Sequence, residues 1–231
     1  MSPQDTSVVL AHGAWADGSS WAKVIGVLAS QGIGALAAPL PLTSFAEDVA
    51  ALNRTIERAR GPVVLVGHAY AGAVIGAARN ERVQGLVYVA ALAPDEGETV
   101  ADVFYRGAPH PQAPKLAPDS HGLIYLPEAS IAAAFAPSAS AEEQTVLAAV
   151  QRPISPACIT VAMQRPLWKD RPAWYLVAEQ DRMIVQENQR IMAERMKARV
   201  RSHPVDHIPL VTAPRVVADI IREAVATIGN R

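Results

Sequence analysis

Two residues far apart in the chain have the types that share a proton: Asp181, in Glu179-Gln180-Asp181-Arg182, and His207, in Asp206-His207-Ile208-Pro209. An imidazole takes up or delivers a proton through one ring nitrogen while a carboxylate holds the other and fixes the tautomer. The nucleophile served by such a pair sits on a sharp strand-to-helix turn, flanked by small residues that let strand and helix approach closely. The stretch Gly61-Pro62-Val63-Val64-Leu65-Val66-Gly67-His68-Ala69-Tyr70-Ala71-Gly72-Ala73-Val74-Ile75 has that form. Its β-branched apolar run suits a strand buried on both faces, and Gly67, Ala71 and Gly72 are the small residues of the turn. The centre, where Ser, Cys or Asp is expected, is Ala69. A methyl group cannot attack a carbonyl, so the spacing describes a site built around an absent nucleophile.

Charge developing on a carbonyl oxygen needs two backbone N–H donors aimed at it. One is expected from Tyr70, after the central residue, and the other from Ala14, in the loop His12-Gly13-Ala14-Trp15. His12 and His68 read as polar braces of these two loops. Trp15, Ser19 and Trp168 are candidate substrate-lining residues, although Trp15 and Ser19 read equally well as packing. Asp95, just after a strand, is the rival to Asp181; His203 is the rival to His207, and Asp206 reads as a solvated loop residue.

Those groups must be placed by the elements around them. Ser7 to Ala11, Gly34 to Ala38, the run before Gly67, Val83 to Ala91, Trp174 to Ala178 and Val200 to His203 read as strands. Helices are predicted from Ser20, as N-cap, through Leu28; after a Ser44–Glu47 capping box; from the turn to about Arg79; over Val185 to Ala198; and over Ala213 to Ile228. Phe45, Val49, Leu52 and Ile56 mark one helix face. Alternating strands and helices imply a parallel sheet covered on both sides, with ligands at the carboxyl ends of the strands. Between the fourth and fifth strands the texture changes to proline-rich, small-residue sequence. A structureless loop of that length is improbable, so residues 95–172 are expected to form a cap whose Phe104, Leu116, Ile124, Leu126, Phe135, Leu167 and Trp168 face a pocket.

The length of 231 residues suits a single domain, 1–231, that includes this insertion. Half of the residues are hydrophobic and the formal net charge is −1, which argues against nucleic acid or an anionic membrane as the main partner. The single cysteine, Cys158, excludes an internal disulfide or a cysteine metal cluster and reads as packing. No stretch matches a signal-peptide core or a membrane span of roughly 20 apolar residues. The expectation is a cytoplasmic protein that takes a small-molecule substrate and uses no cofactor and no metal. Its oligomeric state stays open, a homodimer included.

The order of turn, Asp181 and His207 is that of the α/β-hydrolases. His12-Gly13-Ala14-Trp15, the turn from Val66 to Gly72, Asp181 and Asp206-His207 together resemble the small bacterial α/β-hydrolases related to plant methylesterases and hydroxynitrile lyases. Ala91-Leu92-Ala93-Pro94-Asp95-Glu96-Gly97-Glu98 and Gln164-Arg165-Pro166-Leu167-Trp168-Lys169 extend the resemblance over nearly the whole chain. It implies an α/β-hydrolase fold, with a mostly parallel sheet, helices on both faces and an inserted cap. That family usually carries Gly-His-Ser-Tyr-Gly-Gly at the turn; this chain departs at Ala69 and Ala71. Three functions stay open. One is a serine-hydrolase-type esterase for a small apolar carboxylic ester, with its nucleophile replaced by Ala69. Another is a Ser-less enzyme using His207 and Asp181 as a general base for lyase, isomerase or direct water-attack chemistry. The last is a non-catalytic binder of a small ligand.

Overall fold

A computed structural model of the chain describes residues 6–229. Six parallel strands form one sheet in the order β2-β1-β3-β4-β5-β6. They are β1 Ser7–Ala11, β2 Ala35–Ala38, β3 Val63–His68, β4 Val83–Val89, β5 Ala173–Ala178 and β6 Arg199–His203. Successive side chains of a strand point to opposite faces. Every residue of β3 and of β5 is buried, so both faces of the sheet are covered there. The edge strand β6 is instead largely exposed, and its Arg199 and Arg201 are charges of the kind that discourage edge-to-edge pairing.

The flanking helices are α1 Ala22–Ser30, α2 Phe45–Arg58, α3 Ala71–Gly76, α7 Gln186–Arg195, α8 Pro209–Thr212 and α9 Pro214–Gly229. Helices α1, α8 and α9 pack together, α2 packs with α3, and α7 lies on β5. Ser44 caps α2, accepting a bond from the Glu47 amide at 3.3 Å, and Leu52 and Ile56 of the apolar stripe are fully buried.

Several boundaries differ from the sequence reading, β4 for instance ending at Val89 and not Ala91. Asp17, not Ser20, caps the entry to α1, because a 3₁₀ turn, Gly18–Trp21, precedes the helix. Helix α3 stops at Gly76 rather than Arg79, and the Arg79 guanidinium turns back to donate to the Ala78 carbonyl at 2.9 Å. Helix α7 starts one residue after Val185, which is extended, and stops before Lys197, whose φ is +51°.

Between β4 and β5 lie α4 Val100–Phe104, α5 Glu128–Ser130 running into a π-helical turn at Ile131–Phe135, and α6 Ala141–Val150. Full capping boxes, Thr99–Asp102 and Ser140–Glu143, start α4 and α6. This segment is tied down over the sheet. The Trp15 amide donates to the Arg152 carbonyl at 3.0 Å, the Ser155 amide to Leu42 at 2.9 Å, and the Asn188 side chain to Val103 at 2.5 Å.

Candidate active site

Strand β3 ends and α3 begins around Ala69, whose φ of +48° lies in the left-handed region. Such a conformation costs a non-glycine residue about 1–3 kcal/mol and persists only where the surroundings dictate it. Here three backbone bonds do so: Ala69 donates to Val89 at 3.2 Å, and its carbonyl accepts from Gly72 at 3.1 Å and Leu92 at 2.9 Å. A Cβ on Gly67 would lie 2.7 Å from the Ala71 carbonyl oxygen, and one on Gly72 would lie 2.8 Å from the Ala91 Cβ. Glycine at those two positions is what lets strand and helix fold so tightly. Ala71 is accommodated, fully buried.

Above the turn, the loops after β5 and β6 bring Asp181 and His207 together. His207 Nδ1 lies 2.8 Å from Asp181 Oδ2, and both side chains are buried. The carboxylate accepts three further bonds, from the Met183 amide at 2.7 Å, the Ile184 amide at 2.9 Å and Gln189 Nε2 at 3.0 Å. The two amides and Gln189 Nε2 can only donate, so the carboxylate is the acceptor of this cluster and the His207 proton that meets it sits on Nδ1. Nε2 of His207 has no protein partner among the described residues. The ring is held between Phe135, at 5.3 Å between centroids, and His68, at 5.0 Å. Asp95 pairs instead with Lys169, at 2.5 Å. Asp206 is not a solvated residue: it is fully buried and accepts from the Ser138 amide at 3.0 Å and the Thr212 hydroxyl at 2.7 Å, which anchors the His207 loop.

The β1 loop abuts the turn. A Cβ on Gly13 would lie 2.9 Å from the Ala69 Cβ. Among the described residues the amides of Ala14 and Tyr70 donate to no protein acceptor, and both residues line the same cavity as Ala69 and His207. His12 braces its loop with Nδ1 3.0 Å from the Gly13 carbonyl and Nε2 accepting from the Leu40 amide at 3.2 Å. Burial lowers its pKa to about 4, against the opposing pull of the Gly13 bond.

The cavity is walled almost entirely by apolar side chains, which suits a small apolar molecule. Trp15 lines it, with a φ of +58° and its indole N–H given to the Ile124 carbonyl at 2.9 Å. Ser19 and Trp168 do not line it. Ser19 is exposed and donates to Asp17, while Trp168 packs beside Gly76 at the carboxyl end of α3. Of the apolar residues expected at the pocket, Phe104, Leu116 and Ile124 line it. Leu126 and Phe135 are instead in the core, and Leu167 packs against that core. Val100, Ile154 and Ile159 line it without having been singled out, since nothing in their local sequence distinguishes lining from core. Besides His207, the only lining side chains with N–H or O–H groups are Trp15, Tyr70 and Tyr105. Trp15 and Tyr70 bond within the protein, and Tyr105 is 64% exposed at the mouth. No lining residue carries a formal charge apart from a protonated His207.

Residues 8–220 match the alpha/beta hydrolase family. The chain belongs to that family. No curated protein sequence matches it. Solved structures of the same fold include a pyrethroid hydrolase from Sphingobium faniae JZ-2, with a TM-score of 0.83, 19% identity, and 98% of this chain and 100% of that one covered. Polyneuridine aldehyde esterase superposes with a TM-score of 0.78 at 18% identity, covering 95% of this chain and 98% of that one. A variant of tomato methylketone synthase I in complex with β-ketoheptanoate does so with a TM-score of 0.80 at 16% identity, covering 96% and 98%. Among the described residues no helix is long and apolar enough to cross a membrane, and no group of His, Cys, Asp and Glu could hold a metal ion.

Proposed function

We propose that this α/β-hydrolase-family protein is an enzyme that moves a proton on a small, mostly apolar carbonyl compound through His207 and Asp181, without a covalent intermediate. The observation that carries this is Ala69: the turn, the buried His–Asp pair and the two free amides are all assembled around a residue with no nucleophilic atom. An acid–base step needs only a placed base or acid, so its parts are complete as they stand.

Decarboxylation of a medium-chain β-keto acid fits these groups best. The bond between the carboxyl carbon and the α-carbon breaks and carbon dioxide leaves. Its electron pair passes into the ketone, and the enolate oxygen is held by the Ala14 and Tyr70 amides. With a second proton taken from water onto Nε2, His207 as the imidazolium protonates the α-carbon to give a methyl ketone and returns to the imidazole whose proton is on Nδ1. An apolar cavity favours the step because it solvates a localised carboxylate poorly and the delocalised enolate less badly. The β-ketoheptanoate complex of methylketone synthase I supports this choice of substrate class by analogy.

Esterase neighbours favour a second reading, hydrolysis of a small apolar ester, with water activated by His207 in place of the missing serine. The test is to assay β-ketoheptanoate and p-nitrophenyl butyrate side by side with the unmodified chain and with His207→Ala. Loss of β-keto acid turnover in His207→Ala supports the proposal. Ester turnover alone selects the second reading, and neither activity leaves a ligand-binding role.

A further inference from the structure

Resting on the oxyanion role given to the Tyr70 amide above, we propose that Asp48 is a positioning residue that sets the orientation of that amide. Asp48 lies in the first turn of α2, fully buried, outside the His207–Asp181 pair. Its partners come from three parts of the fold. Oδ2 accepts from the Tyr70 hydroxyl at 2.6 Å and faces the Cys158 thiol at 3.6 Å, while Oδ1 accepts from the Leu42 amide at 2.8 Å. No cation bonds to it among the described residues.

A buried carboxylate without a cation is an expensive group to keep. Burial pushes its carboxyl above the ordinary range even against the bonds it accepts. If its only task were to satisfy the Leu42 amide, one neutral acceptor would suffice. The second oxygen instead fixes the far end of Tyr70, the residue immediately after the strained Ala69. A phenol pinned at its hydroxyl anchors the Tyr70 Cα from the far end of its side chain, and with the backbone bonds of Ala69 this restrains the Ala69–Tyr70 peptide that carries the N–H. Leu42, itself at φ +60°, accepts through its carbonyl from the Ser155 amide at 2.9 Å, next to Ile154 and Ile159 of the cavity wall. One carboxylate therefore ties the turn to the segment that covers it.

The test uses Asp48→Asn, Tyr70→Phe and the double variant, with β-ketoheptanoate as the probe. Asparagine keeps an oxygen for the Leu42 amide and removes the buried charge, so this variant is expected to fold. Expected is a fall in kcat of about 10- to 100-fold with KM within about threefold, because the amide matters to the developing charge and not to ground-state binding. The double variant should lose no more than the worse single variant, since both break one contact. Unchanged kcat, a rise in KM alone, or fully additive losses overturn the proposal. If the unmodified chain turns over no β-keto acid, the functional reading fails, and the positioning is read on the protein itself. The Tyr70 amide resonance should then shift, and exchange of the peptide spanning residues 68–76 should quicken, in folded Asp48→Asn and in Tyr70→Phe alike. A Tyr70 amide that keeps its resonance and exchange rate in both variants overturns the assignment.

Discussion

His68 Nε2 lies 2.7 Å from the backbone carbonyl of His207. The residue just before the turn thus holds the loop that carries the imidazole. A carbonyl only accepts, so His68 carries a proton on Nε2. Burial, and then the neighbouring His207, lower its pKa well below the ordinary histidine value.

This coupling makes the site acid-sensitive. Both His12 and His68 have depressed values in the fold, His12 at about 4. An unfolded histidine binds its proton near pH 6.5, so between the two values the unfolded chain binds more protons. Their contribution is fully present above pH 6.5 and is lost as pH falls toward 4; for His12 it is on the order of 3 kcal/mol. Thermal unfolding followed from pH 7.5 to 4 should show Tm dropping through this window. A Tm that stays flat there contradicts the assignment.

Asp48 acts in the opposite sense. Its folded value is raised, so the fold is favoured while the carboxyl is protonated and loses that advantage as pH rises through the folded value. Asp48→Asn should gain stability relative to the unmodified chain between pH 4 and 8. Denaturant midpoints at the two ends of the range measure the difference, and a gap that closes with rising pH is the adverse result.

Ala69→Ser puts a hydroxyl at the turn beside His207. The Gly13 loop crowds one side of the Ala69 methyl, which leaves the cavity and His207 as the open direction for the new oxygen. The variant should fold, be labelled by a fluorophosphonate and hydrolyse p-nitrophenyl butyrate about 10²- to 10⁴-fold faster than the unmodified chain. A well-folded variant that neither labels nor hydrolyses argues against a hydrolase-type site.

Asp181→Asn separates orientation from charge. It removes the acceptor that keeps the His207 proton on Nδ1, while its own amide can still meet the ring. By analogy with triads in which this change was made, turnover through His207 should fall about 10⁴-fold with little change in substrate binding. Equal turnover in the two proteins would detach Asp181 from the chemistry.

Gly72→Ala tests the packing of the turn. The added Cβ would meet the Leu92 carbonyl oxygen and the Ala91 Cβ, both in the rigid stretch after β4. Backbone must move, so a loss of about 2–3 kcal/mol or more is expected, read from chemical denaturation. The same change at Gly26 meets nothing within 4 Å and should be tolerated.

Local chemistry made much of this protein legible from its sequence. The strand–turn–helix around Ala69 was readable because small residues at Gly67 and Gly72 have few other uses between two apolar runs. A parallel sheet covered on both faces followed from alternation of short β-branched runs with amphipathic helices, while the strand order came only with the fold. Contacts between distant segments were not readable. Asp48 does sit on the buried face of α2, three residues after Phe45 and four before Leu52, but only the fold brings Tyr70, Leu42 and Cys158 to its two oxygens. The burial of Asp206, which accepts from Ser138, and the separation of Ile154 and Ile159 from Leu126 and Phe135 likewise depend on how the segment over residues 95–172 folds back. Residue type and periodicity encode which side chains seek the interior. Which of them meet there is set by packing between elements far apart in the chain, and that information exists only once the sheet and its cover have closed.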